Sequence, residues 1–172
     1  MKIAYTMAAG KGDVDLLLYQ AAQRMSGQGI RCCGTVQINT ERAEGPCDMD
    51  VQVLPNGNVF RISQSLGRSA RGCRLDPSAL ETAVGQVAAS LVDGADLLIV
   101  NKFGKHEAGG RGFRDVIAEA IIRDIPVLVG VNALNFAAFE AFVGAKAICL
   151  APSTDAISIW FDGVEGNKST AA

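Results

Sequence analysis

Three stretches of this 172-residue chain carry side chains suited to binding phosphate or another tetrahedral oxyanion. The first contains Gly10, Lys11, Gly12 and Asp13, between an apolar run and a run of leucines. A strand, a glycine turn and a helix start, in that order, are the layout of a phosphate-binding loop. In such a loop, backbone N–H groups and the helix N-terminus surround the phosphate.

This glycine loop departs from the P-loop pattern G-x-x-x-x-G-K-[ST] in both possible registers. If Gly10 and Lys11 are the Gly-Lys pair, Tyr5 replaces the first glycine and Gly12 replaces the Ser/Thr that binds magnesium. If Gly12 is the last glycine, Asp13 stands where the lysine belongs. We therefore predict a degenerate P-loop that keeps its architecture without efficient nucleotide hydrolysis.

The second stretch, residues 61–74, is rich in arginine and serine and contains no acidic residue. Arginine forks and serine hydroxyls match the geometry of tetrahedral oxyanions, and glycines let backbone N–H groups join them. The alternative is a solvated loop whose arginines pair with surface carboxylates. The candidate anion-binding residues of this stretch are Arg61, Ser63, Gln64, Arg68, Arg71 and Arg74.

The third stretch follows a strongly apolar strand and begins with Asn101 and Lys102. In open α/β sheets, ligands bind beyond the carboxyl ends of the strands. A P-loop enzyme has acidic residues there for magnesium, and this chain has an amide and an ammonium. Lys102 and Lys105 add positive charge, whereas Glu107 or Asp15 would supply the missing carboxylate in a divergent nucleoside-triphosphatase.

Composition restricts the class of protein. The net charge of −2 argues against a nucleic-acid binder, and no apolar run reaches the ~20 residues that span a bilayer, which predicts no membrane insertion. Five cysteines without a signal-like N-terminus favour free thiols and a cytoplasmic location. The hydrophobic fraction of 49% suggests a buried interface in a homo-oligomer.

Strand-like and helix-like stretches alternate, which predicts an α/β fold with a mainly parallel sheet. We expect one domain over residues 1–162 and a flexible polar tail over 163–172. Residues 51–62 are typical of a β-hairpin that turns at Pro55-Asn56-Gly57, and the segment around Cys47 and Asp50 reads as a turn. Strands are predicted at 2–7, 30–38, 95–101, 126–131 and 147–150, and helices at 13–26, 76–92, 112–123 and 135–143, with a short helix or edge strand at 155–162.

Two segments carry a resemblance to known proteins. Residues 61–76 match R-I-S-Q-x-L-G-x-x-A-R-G-C-R-L-D, and residues 101–107 match N-K-F-G-K-x-E. Over nearly its whole length the chain resembles a bacterial family with these motifs, whose members are described from genomic context as molybdenum-transport-associated. Residues 96–107 are also similar to the D-x-x-h-h-D-E-I-G-K-M-E region of small P-loop nucleoside-triphosphatases. The resemblance implies a three-layer P-loop-type fold and a role in molybdenum handling.

Together these observations predict a protein that binds a small anionic ligand, either a nucleotide phosphate or a molybdate or tungstate oxyanion. Two alternatives remain open: a divergent nucleoside-triphosphatase, and a non-catalytic protein whose cationic face docks an acidic surface. A helix N-terminus lies beside the carboxyl end of the strand that follows the helix. We therefore expect Arg71 or Arg74, Lys102 and the Gly10 loop to share one pocket.

Overall fold

Alternating strands and helices make up the computed structural model, which describes residues 2–10, 12–65, 74–144 and 146–169. Among these residues the strands are β1 (Ile3–Thr6), β2 (Cys32–Thr40), β3 (Asp48–Leu54), β4 (Val59–Arg61), β5 (Leu97–Phe103), β6 (Val127–Val131) and β7 (Ile148–Leu150). The α-helices are α1 (Asp13–Gly27), α2 (Pro77–Val92), α3 (Lys105–Ala108), α4 (Arg114–Ile122), α5 (Phe136–Val143) and α6 (Thr154–Ser169), and a 3₁₀ turn spans Ala133–Asn135.

The strands of the described residues form one sheet in the order β4-β3-β2-β5-β6-β1-β7. In this order the neighbours from β2 to β7 are parallel, whereas β3 is antiparallel to both of its neighbours, β2 and β4. The carboxyl ends of β1, β2, β5, β6 and β7 therefore lie along one edge of the sheet. This edge also holds the loop between β1 and α1.

Helices cover both faces of the sheet, so its central strands are apolar on both sides. Leu97 and Ile99 pack with α1 and α6 on one face, and Leu98 and Val100 pack with α2, α4 and α5 on the other. Successive residues of one strand thus pack against helices on opposite faces of the sheet. This is the three-layer α/β arrangement that the sequence predicted. No helix in the described ranges has the length and apolar character needed to cross a membrane.

Several local signals identify element ends correctly. The Asp76 side chain accepts hydrogen bonds from the backbone N–H groups of Ser78 and Ala79, and Pro77 occupies the first turn of α2. Gly144 ends α5 in a left-handed conformation.

Cys32 and Cys33 are buried on opposite faces of the sheet, and burial raises the pKa of the Cys32 thiol to about 12.

Some boundaries differ from the sequence prediction. Strand β5 continues through Asn101 and Lys102 to Phe103, and β3 starts at Asp48 where a turn was predicted. The hairpin forms, but its turn contains a cis Leu54–Pro55 peptide, and Gly57 lacks the positive φ expected of an Asn-Gly turn. Helix α6 runs to Ser169 through most of the predicted polar tail, because Ile157, Trp160 and Phe161 anchor it in the core.

Candidate functional site

The glycine loop lies between β1 and α1, at the edge where the parallel strands end. Gly12 caps α1 with a φ of 88°, a left-handed conformation that glycine adopts without steric cost. The Asp13 carboxylate folds back over Gly10, so closely that a Cβ on Gly10 would collide with it. The turn that would hold phosphate in a P-loop enzyme therefore has a carboxylate beside its backbone.

Asp15 is the centre of a buried polar cluster at this edge. Its Oδ1 accepts a hydrogen bond from Asn101 Nδ2 (2.8 Å) and lies 3.4 Å from the Lys102 Nζ. Its Oδ2 accepts from Gln37 Nε2 (3.1 Å) and Asn39 Nδ2 (2.7 Å). Both carboxylate oxygens are thus engaged, which leaves Asp15 poorly suited to the metal-binding role that the nucleoside-triphosphatase alternative gives it.

A β-bulge in β5 positions the two polar residues of the strand. Val100 pairs with Val129 and Phe103 pairs with Val131, so β5 has one more residue than β6 between these pairs. Bulges re-aim side chains and are frequent next to active sites. As a result, Asn101 is buried against Asp15, whereas Lys102 is 42% exposed and reaches the open edge.

Lys102 lines two cavities. One cavity of about 190 Å³ borders the glycine loop and is also lined by Gly10, Gly12 and Asn132. The other, of about 260 Å³, lies between the β3–β4 hairpin, the first turn of α2 and the loop after β5. Because Lys102 and Asn132 line both cavities, the two spaces adjoin. The remaining residues that line the larger cavity are Thr35, Gln37, Met49, Val51, Ile62, Leu75, Leu80, Asn101, Gly104, Lys105, His106, Glu107, Phe113 and Asn135.

Hydrogen-bond donors collect where the cavities adjoin. Asn132 Oδ1 accepts from the backbone N–H and the side-chain amide of Asn135 (3.0 and 2.9 Å), which leaves the Asn132 Nδ2 for another partner. No carboxylate of the described residues lies within 4.0 Å of the Lys105 Nζ. Lys102, Lys105 and Asn132 all line the larger cavity, so an anion bound there has two ammonium groups and one amide on the surrounding walls.

Glu107 has a structural role in the loop after β5. Its carboxylate is buried and accepts hydrogen bonds from the backbone N–H groups of Gly104 (2.9 Å) and Phe113 (3.3 Å). Gly112 has a φ of 62°, and a Cβ there would collide with Glu107. Glu107 therefore ties the two ends of this loop together, and its oxygens are already occupied by backbone donors.

Glu81 on α2 joins the same loop to the helix layer. Its Oε1 lies 2.6 Å from His106 Nε2 and accepts a hydrogen bond from the Gly112 backbone N–H (3.0 Å). The hydrogen bond to His106, together with the Gly112 N–H and the charge of Arg111, outweighs partial desolvation and holds the pKa of Glu81 below its usual range. The ionised carboxylate therefore helps to hold the loop in place.

Glu81→Gln should flatten the acid side of the stability profile. A carboxyl whose pKa is lowered by folding stabilises the protein above its unfolded pKa of about 4.3 and loses this contribution as pH falls through the folded pKa. Because Glu81 is half-exposed, we expect a contribution of only about 0.5 kcal/mol. Urea unfolding of the wild-type protein and Glu81→Gln from pH 7 to pH 3 would measure this contribution, with Glu41→Gln as the control. Equal profiles of unfolding free energy against pH for Glu81→Gln and wild type would contradict the prediction.

The described arginines of residues 61–74 bind groups of the hairpin region. Arg61 pairs with Asp50 (2.8 Å) and Asp48 (2.8 Å), and Arg74 donates to the Cys47 carbonyl (2.7 Å). Desolvation would raise the pKa of Asp48, but the hydrogen bond from Arg42 and the charges of Arg42 and Arg61 lower it overall. These contacts match the solvated-loop alternative.

Of the residues predicted to share one pocket, the structure describes Gly10, Gly12, Lys102 and Arg74 but not Arg71. Lys102 and the Gly10 loop line one cavity, but Arg74 lines neither of the two cavities at Lys102. Ser63 Oγ accepts from the Met49 backbone N–H (3.0 Å), and the Gln64 backbone N–H donates to the Arg74 carbonyl (2.7 Å). Three predicted site residues lie outside the described ranges: Lys11, Arg68 and Arg71.

Sequence reasoning missed three polar residues of the site, namely Gln37, Asn39 and Asn132. Gln37 and Asn39 stand at the polar end of the otherwise apolar β2, and Asn132 directly follows the apolar β6. Polar residues at the carboxyl end of a buried parallel strand are the signal that would have found them.

Comparisons with known proteins place this geometry in context. A family model described as "Protein of unknown function (DUF2478)" matches residues 3–160. The curated protein "Molybdenum import ATP-binding protein ModC 2" of Bradyrhizobium diazoefficiens is 36% identical over 162 residues, which make up 93% of this chain. The chain spans only 18% of the length of that relative.

Two solved structures share the fold. THEP1 from the hyperthermophile Aquifex aeolicus aligns with a TM-score of 0.63 at 16% identity, covering 95% of this chain and 96% of THEP1. The solution structure of a human cancer-related nucleoside triphosphatase aligns with a TM-score of 0.57 at 16% identity, covering 87% of each chain. At this identity the alignments show that the fold is that of small P-loop nucleoside-triphosphatases.

Proposed function

Because this chain belongs to the DUF2478 family, whose description assigns no activity, we propose a function from the site itself: the protein binds a tetrahedral oxyanion at the carboxyl edge of its sheet. The oxyanion is either the phosphate of a nucleotide or a free anion such as molybdate. It lies against Lys102, Lys105 and Asn132, beside Gly10 and Gly12.

The position of Lys102 carries this proposal. Its ammonium has three donors, and Asp15 takes one of them at 3.4 Å. The other two are available where the glycine-loop cavity and the larger cavity adjoin. Lys105 adds a second positive charge at the larger cavity, and charge-assisted hydrogen bonds of this kind are the strong ones in anion sites.

The Asp13 carboxylate influences where the anion binds. Because it lies over Gly10, a phosphate inside the turn would meet a negative charge at short range, which is unfavourable. Asp13 lines neither cavity at Lys102, and the Asp15 carboxylate that borders the glycine-loop cavity is paired with Lys102 and hydrogen-bonded to three amides. We therefore place the anion outside the turn, in contrast to the binding mode of a P-loop enzyme.

The link to molybdenum comes from the curated relative. Its printed name describes a molybdenum import ATP-binding protein, and 162 of its residues match this chain at 36% identity. Because the match covers 18% of that protein, the import activity in the name could belong to its other parts. A binding unit that serves molybdenum handling, with molybdate or a nucleotide as its ligand, agrees with the match.

Calorimetric titration of the protein with ATP, GTP, phosphate, molybdate and tungstate tests the proposal. We expect saturable binding of at least one of these anions, with an affinity that falls as salt concentration rises because the contacts are ionic. Chloride titrated at equal ionic strength is the control. Heats that match dilution for all five ligands would refute the proposed function.

We predict no efficient magnesium-dependent hydrolysis of ATP or GTP. The Ser/Thr that anchors magnesium in P-loop enzymes is absent in both registers of the loop. Asp15 and Glu107, the candidate replacement carboxylates, already accept hydrogen bonds on both of their oxygens. Phosphate release in the presence of Mg²⁺ should stay far below the ~10 s⁻¹ of a median enzyme; turnover near that rate would favour the divergent nucleoside-triphosphatase.

A further inference from the structure

The larger cavity at Lys102 offers more room than a bare oxyanion fills. Its volume is about 260 Å³, whereas a cavity that holds a single water needs only about 10–15 Å³. A tetrahedral anion held at Lys102 and Lys105 would occupy one end of this space. The rest of the cavity would then hold another part of the same ligand.

Apolar side chains from two parts of the fold form the apolar walls of this cavity. Val51 and Ile62 belong to the hairpin, and Leu80 and Phe113 belong to the helix layer. Small-molecule sites are mostly lined by apolar side chains, with a few polar groups that fix the orientation of the ligand. A planar ring with apolar faces fits against such side chains.

Two polar side chains that line this cavity have hydrogen-bonding capacity to spare. Thr35 is 1% exposed and lines the cavity, and its hydroxyl makes no hydrogen bond with any residue that the structure describes. Gln37 uses its Nε2 for Asp15 and Asn39, so its Oε1 has no partner within the same described ranges. A ligand with polar atoms on its edge would find hydrogen-bond partners in the Thr35 hydroxyl and the Gln37 amide oxygen.

From these features we infer that the ligand is a phosphate monoester that carries a nitrogen heterocycle, of the size of a nucleoside monophosphate. The phosphate meets Lys102, Lys105 and Asn132, and this half of the inference rests on the proposed function. The ring lies against the apolar walls, with its polar edge toward Thr35 and Gln37. An acyl chain would offer these polar side chains no hydrogen bond, and a free oxyanion would leave the walls without contacts.

Calorimetric titration of the full chain with AMP, GMP, CMP and UMP, in parallel with inorganic phosphate and the four unphosphorylated nucleosides, tests this inference. We expect at least one nucleoside monophosphate to bind tenfold or more tightly than phosphate. Thr35→Val, which replaces the hydroxyl by a methyl group of similar size, should weaken that binding about three- to tenfold and leave phosphate binding unchanged. Circular dichroism and a melting curve check that Thr35→Val folds. Met49→Trp, at a partly exposed residue that lines the cavity, is a second variant that should fill the space proposed for the ring and weaken monophosphate binding.

Each outcome separates the inference from the proposed function. If phosphate or molybdate binds and no nucleoside monophosphate binds more tightly, the inference is wrong and the proposed function stands. If a nucleoside binds as tightly as its monophosphate and no anion binds, the ring site is supported and the proposed oxyanion site is wrong. Binding of a monophosphate that neither Thr35→Val nor Met49→Trp weakens would place the ring elsewhere and overturn the inference.

Discussion

Lys102→Ala should weaken binding of the oxyanion by roughly ten- to a hundredfold. A hydrogen bond to a charged group contributes about 1.5–3 kcal/mol, and each 1.4 kcal/mol is a factor of about ten in affinity. Lys102 is half-exposed at the point where the two cavities adjoin, so its loss removes a contact without opening the core. Titration of the variant with the tightest ligand of the wild-type protein measures the effect.

Lys146→Ala is the matched control for this variant. Lys146 is also exposed, but it precedes β7 and therefore lies at the opposite edge of the sheet from Lys102. Removing either lysine changes the net charge equally, so a long-range charge effect would weaken binding to the same extent in both variants. If the two variants bind alike, or if Lys102→Ala binds as wild type does, the anion lies elsewhere.

The fold was largely predictable because its main signals are local. The apolar run Leu97–Val100 and the Asp76-Pro77 helix start depend on neighbouring residues only, and both are found where the sequence places them. For α6, the sequence left residues 155–162 open between a short helix and an edge strand and assigned 163–172 to a tail, because Gly163 and Gly166 lower the intrinsic helix propensity. The stability of α6 instead depends on packing of Trp160 and Phe161 on the face that α1 covers, which is a tertiary contact.

The site was less predictable than the fold because its contacts join distant parts of the chain. Lys102 was found from its place after an apolar strand, but its neighbours depend on which strands pair. Gln37 and Asn101 meet because β2 lies beside β5, and the bulge in β5 turns Asn101 toward Asp15. The partners of Arg61 could not be named from the sequence for a related reason, since the carboxylates that pair with it lie on the neighbouring strand β3.

Asp15→Asn should lower the free energy of unfolding by about 2–4 kcal/mol. The carboxylate accepts from three amide groups and the Lys102 ammonium, and an asparagine would replace one acceptor oxygen by an NH₂ donor. Two of the surrounding donors would then face another donor at a buried position, and each unsatisfied buried group costs about 1–3 kcal/mol. Urea unfolding at pH 7 gives the change in free energy.

Asp13→Asn is the control for this last prediction, because it makes the same substitution two residues earlier in the same helix turn. Asp13 is exposed, so only its favourable interaction with the helix N-terminus is lost, about 0.3–1 kcal/mol.

A second measurement separates the effect of Asp15→Asn on stability from its effect on binding. Folded Asp15→Asn frees Lys102 from its counter-ion and should bind the oxyanion at least as tightly as wild type, opposite in sign to Lys102→Ala. If the folded variant instead loses binding, Asp15 is needed to position the lysine; if its stability equals that of Asp13→Asn, the buried cluster contributes little to the fold.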